Sequence, residues 1–123
     1  MTADLLARRF APKGGISLRR MQIEPETGDT VRCRVDMIVD EQAVGLETSA
    51  PGAIGAMSEL LHGLGAGVEI VSLYHQQDGA HIAAYLLCER DGRRCWAYGR
   101  AGTGDEATAR ALVSAANQLT GRA

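Results

Sequence analysis

Two apolar stripes of identical spacing constrain the fold more than any other feature of the chain. Ile54, Met57, Leu61 and Leu64 mark one face of a helix, and Ala109, Leu112, Ala116 and Leu119 repeat that spacing 55 residues later. Each stripe follows three segments that read as strands. Ahead of the first lie Ile16–Glu24, Val31–Val39 and Ala43–Thr48; ahead of the second lie Val68–His75, Ala80–Glu89 and Arg93–Gly99. The pattern is strand, strand, strand, helix, written twice. One such unit alone leaves an apolar sheet face exposed, so the two are expected to pack together as an α+β layer structure, with helices on antiparallel sheet and the two βββα units related by pseudo-symmetry.

Local signals support the individual elements. Val31, Cys33, Val35, Met37 and Val39 alternate with Arg32, Arg34 and Asp36, the period of a strand with one buried face. In Ile16–Glu24 the apolar parity changes between Leu18 and Met21, which places a bulge near Arg19-Arg20. Asp91-Gly92 is a hairpin signal, and Asp40 to Gln42 turns the chain at the matching place. Ala80–Glu89 is apolar on both faces and is expected at the centre of its sheet. Ser49-Ala50-Pro51 opens the first helix, and Gly63, Gly65 and Gly67 end it. The second runs from Gly104 to Leu119 behind a turn containing Gly99, Gly102 and Gly104. Asp105 and Glu106 in its first turn either cap the helix or yield the free N–H groups to an anionic ligand. Alanines at 56, 109, 111, 115 and 116 would admit a second helix closely, and a second subunit could supply it.

The 123 residues, 46% of them hydrophobic, make one domain, with no run long enough to span a membrane and no signal peptide at Leu5-Leu6. A cytosolic location is expected. The net charge of −2 is uneven: Arg8, Arg9, Lys13, Arg19 and Arg20 oppose only Asp4. Residues 1–15 therefore read as a basic arm hinged at Gly14-Gly15, mobile or exchanged onto a neighbour, with a short helical candidate at Ala3–Ala11. A basic arm with Phe10 as its only aromatic does not read as a nucleic-acid surface. Cys33, Cys88 and Cys95 lack zinc spacing and read as buried small hydrophobes; Cys88 and Cys95 flank the Asp91-Gly92 turn and would face each other, close enough for a disulfide under oxidising conditions. His62, His75 and His81 form no metal or base motif, and neither metal nor cofactor is expected.

At this point the residues resemble a known family. Thr48-Ser49-Ala50-Pro51-Gly52-Ala53 sits where the C-terminal regulatory domain of the 2-isopropylmalate synthases and citramalate synthases has a Gly-x-Gly-Pro loop opening its first helix. Leu73-Tyr74 is similar to that family's Asp-Tyr strand end, and Asp78-Gly79-Ala80 to its Gly-Asp-Ala element. Trp96, Gly99 and the run Ala111–Asn117 fall on its last strand and closing helix. The resemblance covers roughly residues 16 to 119.

What the resemblance implies is a non-catalytic domain, residues 16–123, that dimerises and binds an end-product amino acid such as leucine near the dimer interface. By position, the effector-contacting residues are Ser49, Ala50, Pro51, Gly52, Ala53 and Tyr74, with Gly99 and Arg100 at the second helix-opening loop. The family's catalysis resides in a separate metal-dependent barrel with an HxH motif, which this sequence lacks, so a synthase catalytic subunit is the implied partner beside the homodimer. Thr48 and Ala50 replace the loop glycines, Leu73 replaces an aspartate and Arg100 an apolar residue. An interaction module that has lost its ligand is the alternative reading. Arg100, next to a helix start, is expected either to attract an anionic group or to pair with Asp105 or Glu106.

Overall fold

The computed structural model describes Gly15 to Arg122. The basic arm and its helical candidate lie outside the described residues. Eight elements follow one another: β1 (Ile16–Pro25), β2 (Val31–Val39), β3 (Gln42–Ala50), α1 (Ala53–Gly63), β4 (Glu69–Asp78), β5 (His81–Arg90), β6 (Arg93–Ala101) and α2 (Gly104–Leu119). They form two antiparallel sheets of three strands, β1-β2-β3 and β4-β5-β6, each followed by its helix. The fold is two βββα units, as the repeated pattern requires.

The units correspond in detail. Both central hairpins turn on two residues with positive φ, Asp40 (48°) with Glu41 (73°) and Asp91 (52°) with Gly92 (79°), which is the geometry that suits the twist of the strands. The first strand of each unit carries a bulge at the corresponding place, between Leu18 and Arg20 in β1 and between Ile70 and Ser72 in β4. Counted from these hairpins and from the helix starts, the repeat is 51 residues (Asp40 to Asp91, Ala53 to Gly104), not the 55 that the stripes gave. A helical stripe cannot distinguish a slip of four residues, since one turn returns almost the same face. In the fold, Ala56, Met57, Leu60 and Leu61 correspond to Ala107, Thr108, Ala111 and Leu112, all buried.

Three strands run two or three residues past their expected ends, β3 to Ala50, β4 to Asp78 and β6 to Ala101. Their last residues are small or polar and lack alternation, yet the neighbouring strand still offers partners: Ala50 faces Val31, Asp78 faces His81 and Arg100 faces Ala83. α1 ends as expected on Gly65 (φ +74°), with the Ala66 N–H returning to the Leu61 carbonyl at 2.9 Å.

α2 is the centre of the core. One side rests on β5 and β6, and the other meets α1 and β1, so that eleven of its sixteen residues are buried. Alanines make this approach achievable, but Ala107, Ala109, Ala111, Ala115 and Ala116 are spent within the chain. They are not the contact with a second subunit that the sequence led us to expect. On its β1 side α2 reaches the strand edge directly. Asn117 accepts from the Ile16 N–H (2.9 Å) and donates to the Ile16 carbonyl (2.8 Å), and Arg110 donates to the Leu18 carbonyl at 2.8 Å.

Candidate functional site

The structure places the eight candidate residues in three settings. Ser49 and Ala50 are the last residues of β3 rather than part of a loop, and Pro51-Gly52 is the whole connection to α1. Alternation along β3 sends these two strand residues to opposite faces: Ala50 enters the core, while the Ser49 hydroxyl meets Glu26 on the outer face of the first sheet. That bond is the main cause of a lowered Glu26 carboxyl pKa, and Thr30 and Arg32 add to it. Ala53 is buried as the first residue of α1.

The start of α1 differs in kind from the start of α2. At α2, Thr103 accepts from the Glu106 N–H (3.2 Å), and Asp105 and Glu106 occupy the first turn. At α1 the capping position is Gly52, no side chain makes a cap bond, and no acidic residue stands in the first turn. The positive end of α1 is thus left for another group, whereas that of α2 is already satisfied by its own side chains.

Gly99 and Arg100 do not form a helix-opening loop. Both lie within β6, and their surroundings explain each one separately. A Cβ on Gly99 would strike the Ala107 carbonyl oxygen and come within 2.5 Å of the Ala111 nitrogen, so glycine there lets α2 settle on the sheet. Arg100 points to the opposite face and binds Asp78 on β4 at 2.8 Å, not Asp105 or Glu106. The sheet fixes that choice: Arg100 faces Ala83 on the central strand and Asp78 faces His81, two residues earlier on the same face, so the pair meets diagonally across β5. Tyr74 shares this outer face, 58% exposed, with its ring 6.2 Å from that of Trp96. Tyr85 and Tyr98 stand beside them with ring centroids 5.4 Å apart. The fold therefore gathers Tyr74 and Arg100 on the second sheet and Ser49 to Ala53 where the first sheet hands over to α1, and no strand pairing or hydrogen bond joins the two groups.

An open cleft of about 1150 Å³ lies elsewhere, between α1 and the β5–β6 hairpin, lined among others by Glu59, His62, Glu69, Glu89 and Arg90. None of the eight candidates lines it. Arg90 is engaged with the Gly67 and Gly65 carbonyls (2.6 and 3.3 Å), which leaves the cleft dominated by carboxylates and unsuited to a carboxylate ligand. Cys88 and Cys95 do face each other across β5 and β6, as free thiols. Burial pushes the Cys88 thiol up to about 12 and raises Cys95 as well, so neither is a ready nucleophile. Among the described residues no group of three or more His, Cys, Asp or Glu is placed to hold a metal ion, and no helix is long and apolar enough to cross a membrane.

No protein-family model matches the chain. Individual proteins do. The 2-isopropylmalate synthase of Corynebacterium glutamicum (strain R) is 33% identical over 115 residues, which cover 89% of this chain, and that of Corynebacterium efficiens is 32% identical over the same share. The chain is homologous to a domain of 2-isopropylmalate synthase. It spans only 18% to 19% of the length of those relatives, in keeping with the C-terminal region that its landmarks resemble. Homology to that part of the synthase points to a regulatory domain. The contacts that sequence reasoning missed in this synthase-type domain are the polar ones made by α2: Asn117 with Ile16, Arg110 with Leu18, and Thr108 with His75 at 2.6 Å. Asn117 and Thr108 were visible as polar residues in an otherwise small and apolar helix, and that was the available signal.

Proposed function

We propose that the chain is a regulatory domain of the 2-isopropylmalate synthase type, one that dimerises and binds a small carboxylate effector at the start of α1, with catalysis carried by a separate synthase part. The observation that carries this reading is the contrast between the two helix starts. Only α1 lacks both a side-chain cap and first-turn acids, and it follows the Pro51-Gly52 connection whose counterpart in the resembled family touches the effector. Because Ser49 to Ala53 and the pair Tyr74 and Arg100 belong to different βββα units, a single effector touching both groups is most simply reached by two copies facing each other. Leucine is the first effector to try.

Thermal unfolding in the presence of leucine, isoleucine, valine and other small carboxylates tests this. Ligand at about 100 times its dissociation constant stabilises the native state by roughly 2.7 kcal/mol, several degrees for a domain of this size. A dimer that no carboxylate stabilises would leave the second reading, an interaction module without a ligand. Two observations favour that second reading: Thr48 and Ala50 stand where the family has glycine, and Arg100 is already engaged by Asp78.

A further inference from the structure

We infer that the segment Ala3–Ala11 seats Leu6 and Phe10 on the outer face of the second sheet, over Tyr85 and Tyr98. This contact lies within one chain and stands apart from the dimer and the effector proposed above. The duplicated units supply the first observation. Positions 51 apart correspond, so Arg32, Arg34 and Asp36 on β2, all exposed, match Ala83, Tyr85 and Leu87 on β5, and the exposed Glu47 on β3 matches Tyr98 on β6. One unit turns a charged face to water, and the other builds the same face from rings. Every aromatic side chain among the described residues, Tyr74, Tyr85, Trp96 and Tyr98, stands there. An apolar face of this kind marks a contact surface.

Burial supplies the second. Gly99 presses against α2, so strand alternation points its neighbour Tyr98 away from both helices. α2 lies on the Gly99 side of β5 and β6, and α1 packs on β2, β3 and α2; among the described residues no helix or strand covers the aromatic side. Yet Tyr98, on an edge strand, is only 3% exposed, against 58% for Tyr74 on the same face. The buried Ala83 has the Arg100–Asp78 pair beside it, but a ring the size of Tyr98 is shut from water only by a larger cover.

The rest of the chain offers one occupant of the right chemistry within reach. Residues 1–14 precede the described chain, which enters β1 beside the end of α2 that leans on β6: the Gly15 N–H donates to the Arg122 carbonyl (3.0 Å), and Gln118 donates to the Trp96 carbonyl (3.2 Å). The steps from Phe10 to Gly15 span up to about 17 Å, which carries Phe10 past the β6 edge to its outer side. At about 100° per residue, Ala3, Leu6 and Phe10 share one side of a helix and Arg8 stands opposite, in water. Phe10 is also the remaining aromatic of the sequence, and contact with the Tyr85 and Tyr98 rings gives it a use. The carboxylate cleft beside α1 would suit Arg8, Arg9 and Lys13, but it offers Leu6 and Phe10 only Val68 and Ile70.

Tyrosine nitration by tetranitromethane, mapped by mass spectrometry on the full chain, tests the contact, with the exposed Tyr74 as internal control. In the parent, Tyr74 is expected to react and Tyr98 to resist. In the variant carrying Leu6→Asp and Phe10→Asp, nitration of Tyr98 should rise roughly tenfold or more while Tyr74 is unchanged and unfolding in urea stays a single cooperative transition. Phe10→Ala gives a smaller rise in the same direction should two buried charges disturb folding. Reversal of charge by Arg8→Glu with Arg9→Glu should leave Tyr98 protected. Four outcomes overturn the inference. Tyr98 as reactive as Tyr74 in the parent means an open face, and Tyr98 still protected in both Leu6 and Phe10 variants means that the described residues suffice to cover it. Exposure by the charge reversal alone means that the arm is held by its arginines, as the acidic cleft would hold it. Protection that is lost on dilution means that a second copy supplies the cover.

Discussion

At the scale of single residues, the informative glycine is Gly99. The family resemblance assigned it to effector contact, and the structure gives it a sufficient reason of another kind, the approach of α2 to β6. Gly99→Ala forces a methyl group against backbone atoms that cannot rotate away, so the cost should exceed the usual 1–3 kcal/mol of overpacking, about 3 kcal/mol or more by urea unfolding. Gly45→Ala is the comparison. Its added carbon would meet only the Asp36 carboxylate, at 3.6 Å, and the change should stay within about 0.5 kcal/mol of the parent or stabilise slightly. Equal losses at the two positions would mean that α2 does not press on Gly99. The Glu26 carboxyl illustrates the opposite case of a residue whose surroundings matter little for the fold. Its pKa is lowered from 4.5, so its contribution to stability is present above that value and fades as pH falls through the lowered one, and as a partly exposed surface group it contributes little.

Among the elements, α2 shows best where sequence reading succeeds and where it fails. Its bounds, Gly104 to Leu119, are legible because caps, glycines and the apolar stripe agree. The two-residue hairpins and the β1 bulge were legible for a similar reason: turn chemistry and parity are local. What α2 does was not legible, because its partners are remote. The Asn117 to Ile16 bonds join residues 101 positions apart, and no local pattern reports them. They matter for stability. Asn117→Leu would leave a buried N–H and a buried carbonyl without partners, at a cost of about 2–4 kcal/mol, read as a lower urea midpoint with unchanged slope. A variant as stable as the parent would show that water reaches the β1 edge. For the candidate site the boundary between local and remote is the same. The Pro51-Gly52 connection was readable, whereas the burial of Gly99 and the engagement of Arg100 by Asp78 depend on neighbours brought in by the sheet.

For the whole molecule, the arrangement of two units around one buried helix leaves the second sheet with an unmatched flank at β4. If two copies of the chain associate as proposed, folding and association are linked, and the unfolding midpoint should rise with protein concentration. Scanning calorimetry over a hundredfold range of concentration checks it, and a parent midpoint that does not move would count against any dimer. The same architecture sets an order of events during synthesis. β1 leaves the ribosome first, yet the side chains that satisfy its edge belong to α2 and arrive about a hundred residues later. At roughly 5–20 residues per second, the first sheet therefore spends on the order of 5–20 s with its edge bare. A nascent chain in that condition is open to strand exchange with its neighbours on the same message, and the interval closes only when Asn117 reaches Ile16.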